Sequence, residues 1–530
     1  RCIYVEKNCI MATFQVGPPK GLNKDVNNTV IEKEYFSNVE NVRFEDGAAK
    51  KISGHDNPFP VANPTVAPYQ VLNWATGQNN YWFYAGLQKI YRTDGSTHTE
   101  FTRTSGVYAV NLTAVGNWDV SIFNGLPIFN NGVDDPQCLA NLGANKFTDL
   151  TNWPSNTTCK SIRPFGNYLI SLNLTESSVN YPNKIRWGDA AENLALPSSW
   201  TASATNDAGF TTVGDNGDFI IDGFSLKEAF IIYKEKTTWI MSFEGGNLVF
   251  NFKKLFNDTG ILSKNCATEF NGKHFVVTNG DIIVHDGVQK KSIASNFVKR
   301  AMFDDIDSTN YANTFVTHNI QKGEIWVSYP SVGSTNCNKA LIYNYNTQSF
   351  SFRDLPGILG IGLGVVSPTS NSDTSVLWSA QTQSWIAYDT TETWGDRAYN
   401  PTETSMLMAG TSDTRLYRAD QGFDFNGSNF TMLLERKGLV LDGNTNTVKQ
   451  VRKISPKFKG TGSAEIFVGS SMSPNGTYDY KTQQSINPNT QNKVDARSTG
   501  KYIAIKFQNT TGTTFELNGY DIEYEVIGER

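Results

Sequence analysis

The chain has little charge, little cysteine and no long apolar run. Only 18% of its 530 residues are charged, 51 acidic against 46 basic, for a net charge of −5. That balance excludes a basic coat for nucleic acid, which neutralises phosphates with an excess of Lys and Arg. It permits a surface past which DNA slides without sticking. No stretch of about 18 consecutive apolar residues occurs, so no helical membrane span is expected. Long Ala/Leu/Glu/Lys runs are absent too, which removes extended coiled coils and long charged tails.

The six cysteines (Cys2, Cys9, Cys138, Cys159, Cys266, Cys337) are sparse for this length. None forms a C-x-x-C pair and no His stands at metal-ligand spacing from one, so no metal is expected. Cys138 and Cys159 are near enough in sequence to bridge in an oxidising compartment; small buried thiols are the expected state. Arg1 to Ile10 lacks the apolar centre of a signal peptide, and Met11 is a candidate initiator. That leaves the first ten residues without a role. Sequons such as those at Asn111, Asn156 and Asn257 count only if the chain is secreted.

Catalytic signatures are missing as well. The five histidines (His55, His98, His274, His285, His318) lie in no G-x-S-x-G or H-E-x-x-H context, and no phosphate-cradling G-x-x-x-x-G-K-[ST] occurs. His274 and His285 fall in strands or at a hairpin, where a hydrogen-bonded structural role is expected. Leu359-Gly-Ile-Gly-Leu-Gly has no strand-to-helix context and reads as a close-packed strand. Thr205 to Thr211 loosely matches the Asp-box hairpin of sialidase propellers, where it is a turn and not a catalytic element. Asp281, Asp286, Asp304, Asp305 and Asp307 lack the spacing of a calcium loop and read as a solvated face. No catalytic residue and no cofactor is expected, and the chain reads as a non-enzyme. Aromatics make up 12% of it; exposed ones would suit sugars, but sequence does not separate them from core.

What the sequence does have is strands and turns. Tyr81-Trp-Phe-Tyr-Ala, Phe219-Ile-Ile-Asp, Ala229-Phe-Ile-Ile-Tyr, His274-Phe-Val-Val-Thr and Glu324-Ile-Trp-Val-Ser-Tyr are short, β-branched or aromatic, and bounded by turn formers. Only Ser295 to Phe303 reads as a helix. Strand–turn–strand units recur: Lys89-Ile-Tyr-Arg-Thr-Asp-Gly, Ile282-Ile-Val-His-Asp-Gly, Leu341-Ile-Tyr-Asn-Tyr-Asn-Thr-Gln-Ser-Phe and Arg415-Leu-Tyr-Arg-Ala-Asp. In each, Asp or Asn opens a turn and the flanking apolar residues pack between sheets. Such units along some 350 residues suit a β-propeller, with a stack of sandwiches as the rival arrangement.

The expected fold is all-β: a β-propeller-like body with a C-terminal antiparallel β-sandwich and an extended N-terminal arm. The boundaries fall at residues 1–60 for the arm, 61–419 for the propeller-like domain and 420–530 for the sandwich. From Phe430 to Lys459 seven basic residues stand against Glu435 and Asp442. Within that run Arg436, Lys437, Lys449, Arg452 and Lys453 form a candidate segment facing DNA or a partner protein. A charged outer strand face that discourages edge pairing is the equal alternative.

The order of segments also carries a resemblance. Asn38-Val-Glu-Asn-Val-Arg-Phe-Glu-Asp-Gly-Ala-Ala-Lys-Lys-Ile-Ser-Gly resembles the opening of the tail nozzle or hub (packaged-DNA stabilisation) proteins of short-tailed bacteriophages. Tyr84-Ala-Gly-Leu-Gln-Lys-Ile-Tyr-Arg-Thr-Asp-Gly, Phe123-Asn-Gly-Leu-Pro-Ile-Phe-Asn-Asn-Gly-Val-Asp, Ile185-Arg-Trp-Gly-Asp, Ile231-Ile-Tyr-Lys-Glu-Lys and Ile282-Ile-Val-His-Asp-Gly follow in the same order. Leu434-Glu-Arg-Lys-Gly-Leu, Gly500-Lys-Tyr-Ile-Ala-Ile-Lys-Phe and Gly519-Tyr-Asp-Ile-Glu-Tyr complete the series. The resemblance implies a structural virion protein at the tail tip. Such proteins form a homo-hexamer below the adaptor (head-to-tail connector), meet tail fibre or spike proteins, and let genomic DNA pass through a lumen that holds it until ejection. The alternative expectation is a secreted β-propeller glycosidase or carbohydrate-binding protein.

Overall fold

In the computed structural model the described residues are 11–59, 63–76, 79–214, 217–245, 248–366, 404–481 and 484–529. The readings of residues 1–10, including Cys2 and Cys9, lie outside them. Nearly every element is a β-strand, and the helix expected over 295–303 is present as Lys299–Phe303.

Five four-stranded antiparallel meanders follow one another along the chain. They open with Gln70–Thr76, Asp119–Phe123, Thr157–Phe165, Ile220–Leu226 and Ala267–Phe270. A sixth runs from Phe315–Asn319 through Glu324–Tyr329 and Cys337–Asn344 into Ser349–Val365. That last strand is 17 residues long and serves two sheets. Its first half is the outer strand of the sixth sheet. Its second half pairs with Thr404–Gly410, which pairs with Arg415–Ala419. The seventh sheet is finished by His55–Asp56, a strand that precedes all the others.

The opening strand of each sheet lies beside the opening strand of the next, and Ser349–Val365 returns to Gln70–Thr76. The seven sheets therefore close a ring, and the fold is a seven-bladed β-propeller. Most interfaces between blades are separate apolar cores, as the architecture requires when no single blade can bury its own faces, while those of the fourth to sixth blades merge with the core of the C-terminal strands. Trp74, Phe83, Phe129 and Phe147 fill the first; Phe315, Trp326, Ile358 and Met408 fill the sixth. Closure is sealed by Val71, Trp82 and Tyr84 of the first blade against Leu407, Ala409 and Leu416 of the seventh.

The turns form as their residues dictate. Asp94 Oδ1 accepts from the backbone N–H of Ser96 and Thr97, both at 2.8 Å. Asp286 Oδ1 does the same for Val288 and Gln289, and Asn344 Oδ1 for Asn346 and Thr347. A side-chain acceptor two residues upstream pre-forms each reversal.

Residues 12–51 hold short strands separated by turns, and three of these strands pair with the C-terminal ones. Ala12–Val16 and Ala48–Lys51 both pair with Phe515–Glu529, while Asn38–Glu40 pairs with Met432–Leu439. Together with Thr447–Gly460, Ala464–Ser471, Val494–Gly500 and Tyr502–Asn509 they build two facing antiparallel sheets. Val494–Gly500 alternates strictly between buried and exposed, the signature of one wet and one packed face. The sandwich thus draws on both ends of the chain, and the propeller is inserted between them.

Candidate functional site

Charged residues are few, so where they are spent is informative. Near the propeller axis Arg163 meets Asp222 with two bonds, Nε–Oδ1 at 2.9 Å and Nη2–Oδ2 at 2.7 Å. It also reaches Asp119 at 3.2 Å, and Lys264 stands 3.4 Å from Asp119. These groups come from the second to fifth blades and cross-link their inner strands. Burial works against ionisation of Asp222, but the Arg163 guanidinium outweighs it and holds that carboxyl below the usual range. Beside this network a cavity bounded by Val115, Gly116, Lys264, Asn313 and Leu359 measures about 10 Å³, room for a single water.

A second buried network ties the sandwich to the propeller. Arg43 on strand Val42–Glu45 donates to Glu324 at 2.5 and 2.9 Å and to Asp420 at 3.0 Å. Arg353 donates to Asp420 at 2.8 Å and to the Gly54 carbonyl at 3.0 Å, with its guanidinium 4.5 Å from the Trp326 ring centre. Burial opposes the charge on Arg43, yet Asp420 and Glu324 raise its pKa above the ordinary value. Opposite charges arranged this way clamp two modules through geometry.

The candidate basic segment divides between the two sheets of the sandwich. Arg436 and Lys437 lie on Met432–Leu439, and Lys449, Arg452 and Lys453 on Thr447–Gly460. Arg436 is 2% exposed and donates to the carbonyls of Asn28 (2.8 Å) and Ile31 (2.9 Å). Burial lowers its pKa to about 10. Lys449 is fully buried against Asp442 at 2.8 Å. Lys437 meets Glu435, Arg452 meets Glu525 and Lys453 lies 3.9 Å from Glu523. The five residues of the candidate DNA- or partner-facing segment are thus engaged within the chain, Arg436 by carbonyls and the other four by carboxylates, and a strand rich in acid, Phe515–Glu529, runs beside Thr447–Gly460.

The other singled-out residues are structural. His274 and His285 flank Tyr233 in the core, at 2.8 and 2.6 Å from its hydroxyl. Asp207 accepts from Tyr168 Oη, and its carbonyl accepts from Trp187 Nε1, so the Asp-box-like hairpin is a turn. Leu359 to Gly364 is strand, as read. Among the described residues, Cys138, Cys159, Cys266 and Cys337 are free and buried. Asp304 and Asp305 line a cleft of about 330 Å³ with Glu40, Asp354, Lys24 and Lys339. Among the described residues no three metal-ligating side chains converge, and no helix is long and apolar enough to cross a membrane.

One surface feature escaped the sequence. Between the third and fourth blades the turns Phe165–Tyr168 and Ser225–Glu228 bound a groove of about 520 Å³, floored by Phe250 and rimmed by Phe243. Tyr168 packs edge-on to Phe250 at 5.0 Å, and Phe243 is 59% exposed. Burial and the neighbouring Asp207 push the Tyr168 hydroxyl up to about 12. Phe210 on the adjacent outer strand is 56% exposed, with Lys184 above its ring. Each aromatic alone reads as core; only the turn geometry brings them to the surface.

No protein-family model matches the chain, and no curated protein does. Solved structures with a partial likeness include the extracellular domain of the putative hybrid two component system BT4673 from B. thetaiotaomicron, at 10% identity and a TM-score of 0.38. That match covers 88% of this chain and 59% of the other. Dihydro-heme d1 dehydrogenase NirN matches at 11% identity and TM-score 0.28, over 57% and 58% of the two chains. Kluyveromyces lactis Hsv2p matches at 11% and 0.29, over 53% of this chain and 84% of its own.

Proposed function

We propose that this chain is an assembling structural subunit, and that the assembly is the distal nozzle ring of a short-tailed bacteriophage. The observation that carries the structural part is apolar surface left to water on two neighbouring blades. Tyr181, Phe210, Phe243 and Leu248 are each at least 42% exposed along the third and fourth blades, in a molecule whose two modules are clamped by buried ion pairs. Side chains of this kind gathered on one side of a rigid body mark an interface. The nozzle part is supported by the ordered series of family-like segments, which run through blade hairpins and sandwich strands alike.

In this reading six copies surround the lumen, an adaptor sits above and fibres or spikes attach at the side. DNA passes through the lumen between subunits and not along the axis of any one propeller. Gating is then a change between subunits, a rigid-body rotation about their interfaces. Electron microscopy of the source particles, with light scattering on the purified chain, tests it. Six-fold density at the tail tip that fits the propeller and sandwich is expected. A strictly monomeric chain absent from every particle would sink the reading.

A second reading, a glycan-binding propeller, is favoured by the Tyr168–Phe243–Phe250 groove, since exposed rings beside polar turns suit sugar faces. A glycan array with wild-type protein and Phe243→Ala decides it: binding lost in the variant supports this reading, and a blank array removes it.

A further inference from the structure

The basic run from Arg436 to Lys459 leaves one residue unspent. Arg436, Lys437, Lys449, Arg452, Lys453 and Lys457 all have internal partners. Lys459 has no ion-pair partner among the described residues, and its strand delivers it to a cleft of about 270 Å³ between sandwich and propeller. The sandwich contributes Arg43, Glu45, Lys50, Lys51, Lys459 and Glu516 to the walls. Across from them stands Lys322, in the turn between Phe315–Asn319 and Glu324–Tyr329. Phe423 and Phe515 form an apolar floor.

The charges in this cleft do not cancel. Arg43 is taken by Glu324 and Asp420, and Lys50 by Glu45 and Asp46. Lys322 is exposed and, like Lys459, has no carboxylate partner among the described residues. Lys51 is 5% exposed, and its Nζ donates only to neutral oxygens, Asn509 Oδ1 at 3.1 Å and the Thr511 carbonyl. Lys51, Lys322 and Lys459 therefore stand at one cleft, opposed by Glu516 on its wall and by the charge of Asp424 near Lys51. Burial lowers the Lys51 pKa to about 8, and Asp424 offsets that only in part.

We propose that this cleft binds a phosphate-bearing anion. Phosphate fits better than carboxylate because the available groups are three separate point charges arriving from both modules, which suit a tetrahedral dianion. A planar carboxylate is matched by a guanidinium fork, and the one fork here, Arg43, is already engaged by Glu324. The phosphate belongs either to a small anion or to a nucleic-acid backbone. The proposal stands apart from the nozzle reading, since a single subunit contains the whole cleft.

Isothermal titration of the full chain with sodium pyrophosphate at low salt tests it. Three proteins are compared: wild type, Lys322→Glu/Lys459→Glu, and a control, Lys236→Glu/Lys291→Glu, with the same change in net charge on exposed positions of other blades. Wild type and control are expected to bind alike, and the cleft variant about tenfold or more weaker, with an unchanged melting temperature in the absence of ligand. Equal affinity in all three proteins, or neither heat nor a rise in wild-type melting temperature with pyrophosphate, overturns the proposal. Displacement of bound pyrophosphate by a thymidine decanucleotide assigns the site to a nucleic-acid backbone, and its failure to displace assigns it to a small phosphate. Either result holds whether or not the chain forms a ring.

Discussion

Tyr233 sits between two histidines whose tautomers its neighbours decide. His274 Nε2 lies 2.9 Å from the Ser225 carbonyl, so it carries the proton, and Nδ1 accepts from the tyrosine hydroxyl. His285 Nδ1 accepts from the Gly287 N–H, so its Nε2 donates to the same hydroxyl. Every group is satisfied only while both rings are neutral. Burial lowers His274 to about 4 and His285 to about 3, the latter helped by His274. The unfolded chain takes up these protons near pH 6.5 and the folded one does not. Stability is therefore expected to fall as pH drops from about 6.5 toward 3, and the contribution of this pair to level off below. Urea midpoints measured across pH 4–8 check this; a midpoint that stays flat to pH 4 contradicts it. Tyr233→Phe orphans a donor and an acceptor and should cost about 2–4 kcal/mol. At the intermodule clamp, Glu324→Gln leaves Arg43 buried beside Asp420 alone, and a loss of about 3–5 kcal/mol is expected. A urea midpoint within error of wild type would mean that solvent reaches Arg43.

At the scale of elements, the clearest success of sequence reasoning is the hairpin. Asp94-Gly95 and Asp286-Gly287 turn as read, because a turn is decided by the residues inside it. Arg415-Leu-Tyr-Arg-Ala-Asp looks the same in sequence but behaves differently. Its strand pairs with His55–Asp56, and Asp420 turns into the clamp. The blade number was not legible, since blades open at residues 70, 119, 157, 220, 267 and 315, too unevenly for a period to emerge. Leu359-Gly-Ile-Gly-Leu-Gly was legible as close packing, and its partner is the first blade. A Cβ on Gly362 would lie 2.7 Å from Trp82 Cζ3 and 3.1 Å from the Val71 carbonyl, and one on Gly364 2.2 Å from Asn73 Cγ. These glycines let the strand that closes the ring approach the strand that opens it. Gly362→Ala should therefore act as overpacking at the closure and cost about 1–3 kcal/mol. Chemical denaturation measures the loss, and faster proteolysis between the first and seventh blades is its expected companion. Wild-type stability in this variant would mean the closure relaxes freely.

For the whole molecule the decisive contacts join residues far apart in sequence, which is why local patterns missed them. Arg418 and Asp56 pair across 362 positions at 2.7 Å, and Ala12–Val16 lies against Phe515–Glu529. In the basic run, Lys437 and Lys449 find local partners in Glu435 and Asp442, but Arg452, Lys453 and Lys457 meet acidic residues on a strand that sequence proximity does not supply. Because the first and last strands share one sandwich, the propeller is held at both ends, at residues 51 and 432, and clamped by Arg43. Removing residues 1–51 takes strands from both sandwich sheets, exposes Leu517, Ile522 and Leu434, and leaves Glu324 and Asp420 without Arg43. The truncated chain is expected to lose soluble yield, or to unfold in two steps with the sandwich first. Calorimetry separates these outcomes from a single transition at the wild-type temperature, which would show that the N-terminal strands contribute nothing to cooperativity. If the full chain unfolds as one unit and the truncated chain as two, the subunit moves as a rigid body. In the proposed ring, opening of the lumen would then come from rotation between copies, with the exposed aromatic edge of the third and fourth blades as the proposed sliding surface.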